Sequence, residues 1–289
     1  MTSGGDGAGR PFWKAVGSGN DFIVLDARAA GAGPDPLETP DWIVAACAPH
    51  TGIGADGVVF VGPPVEAGTT LAIRYYNADG SRASFCGNAS LCATQMAVAL
   101  GLAPRHLAFG LTTDAGRLTV TAFDGSAAEI ELAAARDLVT ASADAPSAGE
   151  RRIGFAVAGV PHLVVLVDDI AAVPIAKRGA ELRAATATRP DGANVNFVAA
   201  PPVDAPAGTP WAIRTFERGV EGETLACGSG NVAAAALLAA WGLVAENAPV
   251  ALCTRSGRVL TVRAAGEPGR VSLAGEGRIV YEGRLRAVR

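Results

Sequence analysis

Two cysteines, Cys86 and Cys227, each stand between a polar loop and an alanine-rich segment, in the contexts "ASFCGNASLCATQMAVALGL" and "ETLACGSGNVAAAALLAAWGL". A glycine follows each cysteine, and we predict that a helix begins there. The unpaired N–H groups and the dipole at a helix start favour negative charge. They should lower the pKa of each thiol and could bind a substrate carboxylate. A thiolate and a thiol in matched positions suit the removal of a proton from one face of a carbon and its replacement on the other, which is racemisation or epimerisation.

The two cysteines belong to a long internal repeat. Residues aligned at an offset of 141 pair Cys86 with Cys227, and they pair "VALGL" ending at residue 102 with "AAWGL" ending at residue 243. Strand-like runs recur in the same order, with "FIVLD", "GVVFV" and "LAIRYY" followed later by "LVVLV", "NVNFV" and "WAIRTF". A repeat of this length indicates two copies of one domain rather than a solenoid.

Each copy contains several strands and one strongly helical stretch, which follows the cysteine. The predicted fold class is α/β (α+β), with two pseudo-symmetric domains, each a curled β-sheet or barrel around a central helix. A pseudo-twofold axis would place the two cysteines across an interdomain cleft that holds the active site. The Ala-, Ser- and Pro-rich segment 142–150 is predicted to link the copies.

Composition excludes several classes of partner. Hydrophobic residues make up 49% of the 289 residues, charged residues 18%, and the net charge is −4 without a Lys/Arg block. Nucleic acids and anionic membranes are therefore poor partners. The longest apolar helical run, from Val232 to Val244, is too short to span a bilayer. The Gly-rich start lacks the apolar segment of a signal peptide, so a cytoplasmic location is expected.

The remaining cysteines do not indicate a disulfide framework or a metal centre. The five cysteines contain no CxxC pair, and the three histidines do not cluster with Cys86 and Cys92 in the sequence. We predict no metal site. Cys47, Cys92 and Cys253 are interpreted as small buried side chains.

Three other interpretations of the paired cysteines remain open. Both cysteines could be buried hydrophobic residues. A dinucleotide site could use "GIGADG" at 52–57 or "GSGNVA" at 228–233, although "VVFV" after the first predicts a strand where a helix is required. A cysteine hydrolase could use His162 as its base, but this leaves the second cysteine unexplained.

At these residues the sequence resembles the diaminopimelate epimerase family, one of the cofactor-independent racemases that include proline racemase. The resemblance runs from Phe12 nearly to the C-terminus. Five motifs carry it, namely "KAVGSGNDFIVLD", "RYYNADGSRASFCGN", "GVPH", "GANVNFV" and "ERGVEGETLACGSG".

The resemblance implies two similar α/β domains, with a last strand that returns to the first domain. The implied domains are residues 1–128 plus 275–289, which contain Cys86, and residues 129–274, which contain Cys227. The implied activity is conversion of LL-2,6-diaminoheptanedioate to the meso isomer, for lysine and cell-wall synthesis. The family uses no pyridoxal phosphate or other cofactor and usually forms homodimers, so the expected partners are a small amino acid and a second copy of the chain.

The resemblance also implies a role for each matched residue. Cys86 would be the thiolate that takes the proton from the LL substrate, and Cys227 the thiol that reprotonates the opposite face. The N–H groups of Gly87, Asn88, Gly228 and Ser229 would hold the carboxylate at the reacting carbon. His162 and Glu217 would hold the reacting ammonium, and the distal end of the substrate would be bound by Asn20, Asn77, Asn194 and Arg218.

The sequence departs from the family pattern at a few positions. Val160 stands where the family usually has an asparagine that contacts substrate, and Gly57 where some members have glutamine. The usual glycine and arginine after the first CGN are replaced, which gives "CGNASLC", and Glu221 resembles a one-residue insertion before Cys227. Distal recognition could therefore differ, and a racemase of another amino acid, of the histidine or proline type, remains an alternative.

Overall fold

The chain folds into two units with the same succession of strands and helices. The computed structural model describes residues 9–185 and 192–285. Unit 1 comprises Met1–Ala128 with Glu276–Arg289, and unit 2 comprises Glu129–Gly275. The fold class is α/β with two domains, as the repeat predicts.

Unit 1 is built on a curled sheet. Its strands are β1 (Arg10–Gly17), β2 (Asn20–Asp26), β3 (Gly57–Gly62), β4 (Leu71–Asn77), β5 (Arg82–Ala83), β6 (Phe109–Thr113) and β7 (Gly116–Ala122). Strand β8 (Ala127–Ala133) crosses the boundary between the units. The helices are the 3₁₀ turn Arg28–Ala30, α1 (Pro40–Cys47) and α2 (Gly87–Ala99).

Unit 2 repeats this order. Its strands are β9 (Arg136–Val139), β10 (Glu150–Ala158), β11 (Val160–Val167), β12 (Asn194–Ala199), β13 (Trp211–Glu217), β14 (Gly222–Thr224), β15 (Val250–Cys253) and β16 (Val259–Ala264). Its helices are α3 (Ile175–Ala185) and α4 (Gly228–Ala240). The long last strand β17 (Arg270–Leu285) pairs with β16 over residues 271–274 and with β1 over residues 277–285.

Strand pairing is equivalent in the two units. Strand β2 is parallel to β3 and β4 is parallel to β6, while β11 is parallel to β12 and β13 is parallel to β15. A helix connects the strands of each parallel pair, as parallel strands require. Helices α2 and α4 both contain 13 residues and begin 141 positions apart, which is the offset found in the sequence.

The two central helices are buried on nearly all sides. Every residue of α2 from Gly87 to Ala97 is buried, and small residues let strands lie close to this helix. A Cβ atom at Gly17 or Gly277 would lie 2.3 Å or 2.2 Å from a carbonyl oxygen of α2. A helix covered on all faces has no need of a polar stripe, which explains the uniform Ala-rich composition of α2 and α4.

Two features of the fold differ from the sequence-based predictions. The segment 142–150 is not a linker between the copies, because it lies within unit 2 between β9 and β10, and these two strands pair with each other. Helices α1 and α3 were not predicted. Helix α1 does carry a start signal, since the Thr39 side chain accepts a hydrogen bond from Trp42 N and Pro40 occupies the first turn.

Within residues 9–185 and 192–285, none of the helices has the length and apolar character needed to cross a membrane.

Candidate active site

Cys86 and Cys227 occupy the same structural position in the two units. Each is the N-cap of a central helix, with extended backbone angles of φ −144° and ψ 115° at Cys86 and φ −124° and ψ 109° at Cys227. The preceding loop therefore turns into the helix at the cysteine itself, as the sequence predicts.

The carbonyl group of each cysteine is held by two hydrogen bonds from the residue four positions later. Cys86 O accepts from Ser90 N at 3.0 Å and from Ser90 Oγ at 2.9 Å. Cys227 O accepts from Asn231 N at 3.1 Å and from Asn231 Nδ2 at 2.7 Å. This arrangement fixes the first helical turn, whose leading N–H groups have no partner within the helix and can bind an anion.

The expected lowering of the thiol pKa is wrong for Cys227. Burial raises the pKa of the Cys227 thiol well above its ordinary value, and the Glu217 carboxylate raises it further. The Ser229 hydroxyl, 3.5 Å from Cys227 Sγ, and the Gly230 N–H lower the pKa by a smaller amount. Desolvation of the thiolate outweighs the helix start here, so Cys227 is a protonated thiol at neutral pH.

The burial of Cys227 predicts that the two cysteines are alkylated at unequal rates. Cys227 is 7% exposed and Cys86 is partly exposed. Because the thiolate is the nucleophile, iodoacetamide at pH 8 should modify Cys227 at least about tenfold more slowly than Cys86. Peptide mass spectrometry over a time course measures both rates, with the denatured chain as the control for equal reactivity. Modification of Cys227 at the rate of Cys86 or faster would contradict the protonated state.

Glu217 lies beside the Cys227 thiol. It ends strand β13, and its carboxylate acts on the pKa of Cys227 both through its charge and through a hydrogen bond. Thr224 Oγ1 donates to Glu217 Oε1 at 2.5 Å from the paired strand β14. The hairpin between β13 and β14 therefore positions a carboxylate at the thiol and at the start of α4.

Three further predicted residues meet in unit 2. His162 of β11 and Asn194 of β12 are partners in the parallel register of these strands. Asn194 Oδ1 accepts a hydrogen bond from Arg218 N at 2.8 Å, and the Arg218 charge lowers the pKa of His162. The structure thus brings His162, Asn194 and Arg218 together.

His162 is a neutral imidazole. It is completely buried, and its pKa is lowered from 6.5 to about 3. Burial is the main cause, the hydrogen bond to the Ala158 carbonyl opposes the shift, and the Arg218 charge adds to it. The hydrogen bond between Asn196 Nδ2 and His162 Nδ1, 3.1 Å long, holds the ring. His162 can act as a hydrogen-bonding group at neutral pH but not as a cation.

The buried imidazole predicts a pH dependence of stability. As pH falls below 6.5, the unfolded chain binds a proton at His162 that the folded protein excludes until about pH 3, so the free energy of unfolding decreases over this window. Between pH 6.5 and 4 the native protein should lose a few kcal/mol of unfolding free energy through His162, and the His162→Gln variant should not show this loss. Urea titrations at several pH values measure the slope. His106→Gln is the control, since His106 is exposed, and equal slopes in both variants would contradict the prediction.

Two predicted residues of unit 1 meet at the start of α2. Asn88 Nδ2 donates to Asn20 Oδ1 at 3.0 Å, and Asn20 Nδ2 donates to Asp56 Oδ2 at 3.1 Å. Asp56 Oδ2 also accepts from Asp21 N, and burial raises the pKa of the Asp56 carboxyl. Lys14 lies 2.6 Å from Asp21, which places a cation beside this polar group.

Asn77 makes its contacts in the turn between β4 and β5. Its Nδ2 donates to Ser81 Oγ at 3.0 Å, and its backbone pairs with Gly57 of β3. The strand β3 follows "GIGADG" directly, so this glycine motif lacks the helix that a dinucleotide fingerprint requires.

The structure accounts for two departures from the family pattern. Gly57 is enclosed by Tyr75, since a Cβ atom there would lie 2.4 Å from Tyr76 O and 2.6 Å from the Tyr75 ring. Glu221 adopts a positive φ of 54° in the turn after β13, where its N–H donates to Glu217 O at 2.8 Å. The extra residue is thus accommodated by the turn.

Val160 is partly buried at the start of β11, and nothing in the structure explains why valine stands there in place of asparagine.

Sequence reasoning missed the residues that hold the predicted ones in place. Asp56 binds Asn20, Thr224 binds Glu217 and Asn196 binds His162. One signal was available for Asn196: the run "NVNFV" places Asn194 and Asn196 two positions apart on one strand, and therefore on the same face.

Comparisons with known proteins identify the family of the chain. The family model described as "Diaminopimelate epimerase" matches residues 12–134 and 155–280. A diaminopimelate epimerase of Gemmatimonas aurantiaca is 42% identical over 95% of this chain and 98% of its own length. An O-ureido-serine racemase of Streptomyces lavendulae is 35% identical over 94% of this chain and 94% of its own.

A solved structure supports the fold. The hydroxyproline epimerase of Agrobacterium vitis superimposes with a TM-score of 0.67 over 96% of this chain and 93% of its own, at 18% sequence identity. At this identity the likeness concerns the two-domain fold alone. The family model covers most of the chain, and with the identity to the Gemmatimonas aurantiaca protein it shows that the chain belongs to the diaminopimelate epimerase family.

Proposed function

We propose that this protein is an isomerase that converts LL-2,6-diaminoheptanedioate to the meso isomer with two cysteines and no cofactor. The observation that carries the proposal is the matched pair of N-cap cysteines, Cys86 and Cys227, at the starts of two buried helices. Family membership identifies the reaction class, and the equivalent positions of the two thiols fit a two-base mechanism.

In the proposed forward step, the Cys86 thiolate removes the α-proton from the LL substrate and becomes a thiol. The electron pair left on carbon delocalises into the α-carboxylate. The N–H groups of Gly87, Asn88, Gly228 and Ser229 bind this carboxylate and stabilise the charge as it develops. The Cys227 thiol then delivers its proton to the opposite face of the carbon and becomes a thiolate. The reverse reaction exchanges the two roles.

The state of Cys227 supports its assignment as the forward acid. Burial and, to a smaller extent, the Glu217 carboxylate raise the pKa of this thiol, which keeps the proton in place until a carbanion accepts it. We propose that Glu217 also binds the ammonium group at the reacting carbon. The substrate cation would then neutralise the carboxylate beside Cys227 and make the thiolate product easier to form.

Recognition of the distal amino acid end is assigned to Asn20, Asn77, Asn194 and Arg218. Arg218 supplies the positive charge for the distal carboxylate, and its backbone is held by Asn194. Asn20 is held by Asp56 and Asn88 at the start of α2. These hydrogen bonds fix the side chains of Asn20 and Asn194 before substrate binds.

Several further statements complete the proposal. We infer functional domains of residues 1–128 with 275–289 and of residues 129–274, a homodimeric state, a cytoplasmic location and a role in lysine and cell-wall precursor synthesis. All of these rest on membership of the family. Gel filtration with light scattering tests the dimer directly.

A second candidate function has a specific observation in its favour. The O-ureido-serine racemase of Streptomyces lavendulae is 35% identical to this chain, whereas one of the diaminopimelate epimerases is 34% identical. The substrate that its name gives has one α-carboxylate and a neutral side-chain end. Racemisation of another amino acid would use the same two thiols. The two candidates differ only in how the far end of the substrate is bound.

A substrate panel tests both candidates. The purified protein is incubated with LL-diaminopimelate, O-ureido-L-serine, L-histidine and L-proline, and chiral chromatography follows the inverted isomers. We expect kcat/KM to be largest for diaminopimelate. Faster inversion of O-ureido-L-serine or another monocarboxylate would replace the epimerase proposal with the racemase alternative.

A further inference from the structure

The carbonyl group of each candidate cysteine accepts a hydrogen bond from a side chain as well as from the helix backbone. In unit 1, Ser90 Oγ donates to Cys86 O at 2.9 Å. In unit 2, Asn231 Nδ2 donates to Cys227 O at 2.7 Å. Ser90 and Asn231 lie 141 positions apart, which is the offset of the repeat. The two units therefore place a donor on the same carbonyl with two different side chains.

The donor in unit 2 is costly to keep in the helix. Asn231 is 0% exposed, and the atom that faces Cys227 O must be its NH₂ group, because a carbonyl oxygen only accepts. Asn231 Oδ1 is then buried without a hydrogen-bond partner among residues 9–185 and 192–285. A buried amide oxygen without a partner lowers stability, and alanine forms helices more readily than asparagine. The favourable contact of this side chain is its hydrogen bond to Cys227 O.

The carbonyl that accepts these bonds shares a peptide group with an N–H that is assigned to the substrate. Cys86 C=O and Gly87 N–H form one such group, and Cys227 C=O and Gly228 N–H form the other. Resonance couples the two ends of a peptide group, so a hydrogen bond accepted by the oxygen makes the N–H a stronger donor. Both N–H groups lie in a first helical turn, where the helix offers them no acceptor.

Resting on the proposed function, we propose that Ser90 and Asn231 are positioning residues that polarise the peptide group after each candidate cysteine, and so strengthen the first N–H donor of each helix toward the carboxylate at the reacting carbon. Negative charge grows on this carboxylate as the α-proton leaves, so a stronger donor stabilises the transition state more than the bound substrate. The side-chain bonds also hold the plane of each peptide group and thereby aim its N–H.

Thr94 provides a matched control for this role. A serine or threonine inside a helix often donates to the carbonyl four residues back, and Thr94 Oγ1 donates in this way to Ser90 O at 2.8 Å. Thr94 is buried like Ser90, but its bond lies one turn farther along α2. The peptide group that it contacts lies inside the helix and does not present an N–H to the substrate.

The polarisation is measured by NMR in the free protein. Cysteine is followed directly by glycine only at 86–87 and 227–228. A chain with ¹³C-labelled cysteine carbonyls and ¹⁵N-labelled glycine therefore gives two carbonyl–amide cross-peaks, which Cys86→Ala and Cys227→Ala assign. A hydrogen bond at the oxygen deshields both nuclei, so Ser90→Ala should move the 86–87 cross-peak upfield in both dimensions and leave the other in place. Asn231→Ala should do the reverse.

The control variant in this measurement is Thr94→Val, which should move neither cross-peak. A cross-peak that stays in place when its own side-chain donor is removed would overturn the proposal. So would a shift in Thr94→Val as large as the shift in Ser90→Ala, because the effect would then belong to the helix as a whole.

The catalytic consequence is measured by kcat and KM. Removal of a whole oxyanion donor costs roughly 10²–10³-fold in kcat, and polarisation strengthens a hydrogen bond by about 10–30%. Ser90→Ala and Asn231→Ala should therefore each lower kcat by about two- to eightfold with a smaller change in KM, and the double variant by the product. Asn231→Ser gives unit 2 the side chain of unit 1 and should recover most of the loss.

Thr94→Val should keep kcat within about 1.5-fold of the native value. A double alanine variant with the native kcat, or a loss that appears only in KM, would overturn the proposal. If one alanine variant does not fold, the variant in the other unit and Asn231→Ser decide the outcome by the same two measurements.

The two measurements also separate this inference from the proposed function. Every amino acid in the substrate panel has the same α-carboxylate, so kcat is measured with whichever of them is inverted fastest. Inversion by the native protein together with fixed cross-peaks, or with an unchanged kcat in the double variant, would reject the inference alone. Absence of inversion with the whole panel would reject the proposed function, and the assignment of these N–H groups to a substrate carboxylate with it.

Discussion

Replacing either Cys86 or Cys227 by alanine is expected to lower kcat for inversion by about 10⁴-fold or more, because in the proposed mechanism each thiol carries one of two obligatory proton transfers. The two variants should nevertheless differ in what they still do. Each keeps one sulfur and can therefore exchange the α-proton on one face of the substrate with solvent, without inverting the carbon.

Deuterium oxide reveals this difference. Cys227→Ala keeps Cys86 and should incorporate solvent deuterium into the LL isomer without forming meso product. Cys86→Ala keeps Cys227 and should label the meso isomer at its D centre, at a slower rate, because the pKa of the Cys227 thiol is raised by burial and by Glu217. Mass spectrometry of the recovered isomers measures both labels.

Cys253→Ala is the matched control for this experiment. Cys253 is a partly exposed free cysteine at the end of β15, outside the two helix starts. The Cys253→Ala variant should invert the substrate at a rate within about twofold of the native rate. In the native protein, product isolated early should carry deuterium at the inverted carbon while recovered substrate does not. Equal early labelling of both isomers would indicate a single shared base and contradict the two-cysteine mechanism.

Much of the fold was predictable because duplication is visible in the chain. The offset of 141 residues reappears as the spacing of α2 and α4, and the paired runs such as "FIVLD" and "LVVLV" are strands β2 and β11. Helix α3 was missed because its residues, "IAKRGAELRAA", mix charged and small side chains without a clear apolar stripe.

The positions of Cys86 and Cys227 at helix starts could be predicted from local sequence, but the protonation state of Cys227 could not. The helix start is encoded by the "CG" pair, and it favours a thiolate. Burial of Cys227 depends on residues distant in sequence, and so does the approach of Glu217 from strand β13. These tertiary effects raise the pKa of the Cys227 thiol, whereas the helix start alone would lower it.

The same distinction applies to the groups that are proposed to bind substrate. Asn20, Asn88 and His162 were identified from motifs, whereas their partners Asp56 and Asn196 lie 36 and 34 positions away in the chain. A hydrogen-bond network is a property of strand register, and register follows from the whole sheet. The motif that identifies His162 therefore does not reveal the hydrogen bond of its ring with Asn196.

Arg218→Ala is expected to lower kcat/KM for LL-diaminopimelate by about 10- to 100-fold, because a charged contact to the distal carboxylate is worth more than a neutral hydrogen bond. Val160→Asn should restore only a neutral donor at the family's asparagine position, so we expect KM to decrease by about tenfold at most. Arg218→Lys should fall between the native protein and the alanine variant, since lysine keeps the charge but loses the planar fork.

The loss in Arg218→Ala should be specific to substrates with a distal carboxylate. Turnover of O-ureido-L-serine, whose side chain ends in a neutral urea, should change by less than about threefold, because no charged contact is lost. Arg151→Ala is the control, since Arg151 forms an exposed ion pair with Asp168 in the same unit. The specificity is measured as the ratio of kcat/KM for the two substrates in the native protein, in Arg218→Ala and in Arg151→Ala. If Arg218→Ala leaves that ratio unchanged, Arg218 does not bind the distal carboxylate, and among the residues proposed for distal recognition only Asn20, Asn77 and Asn194 remain.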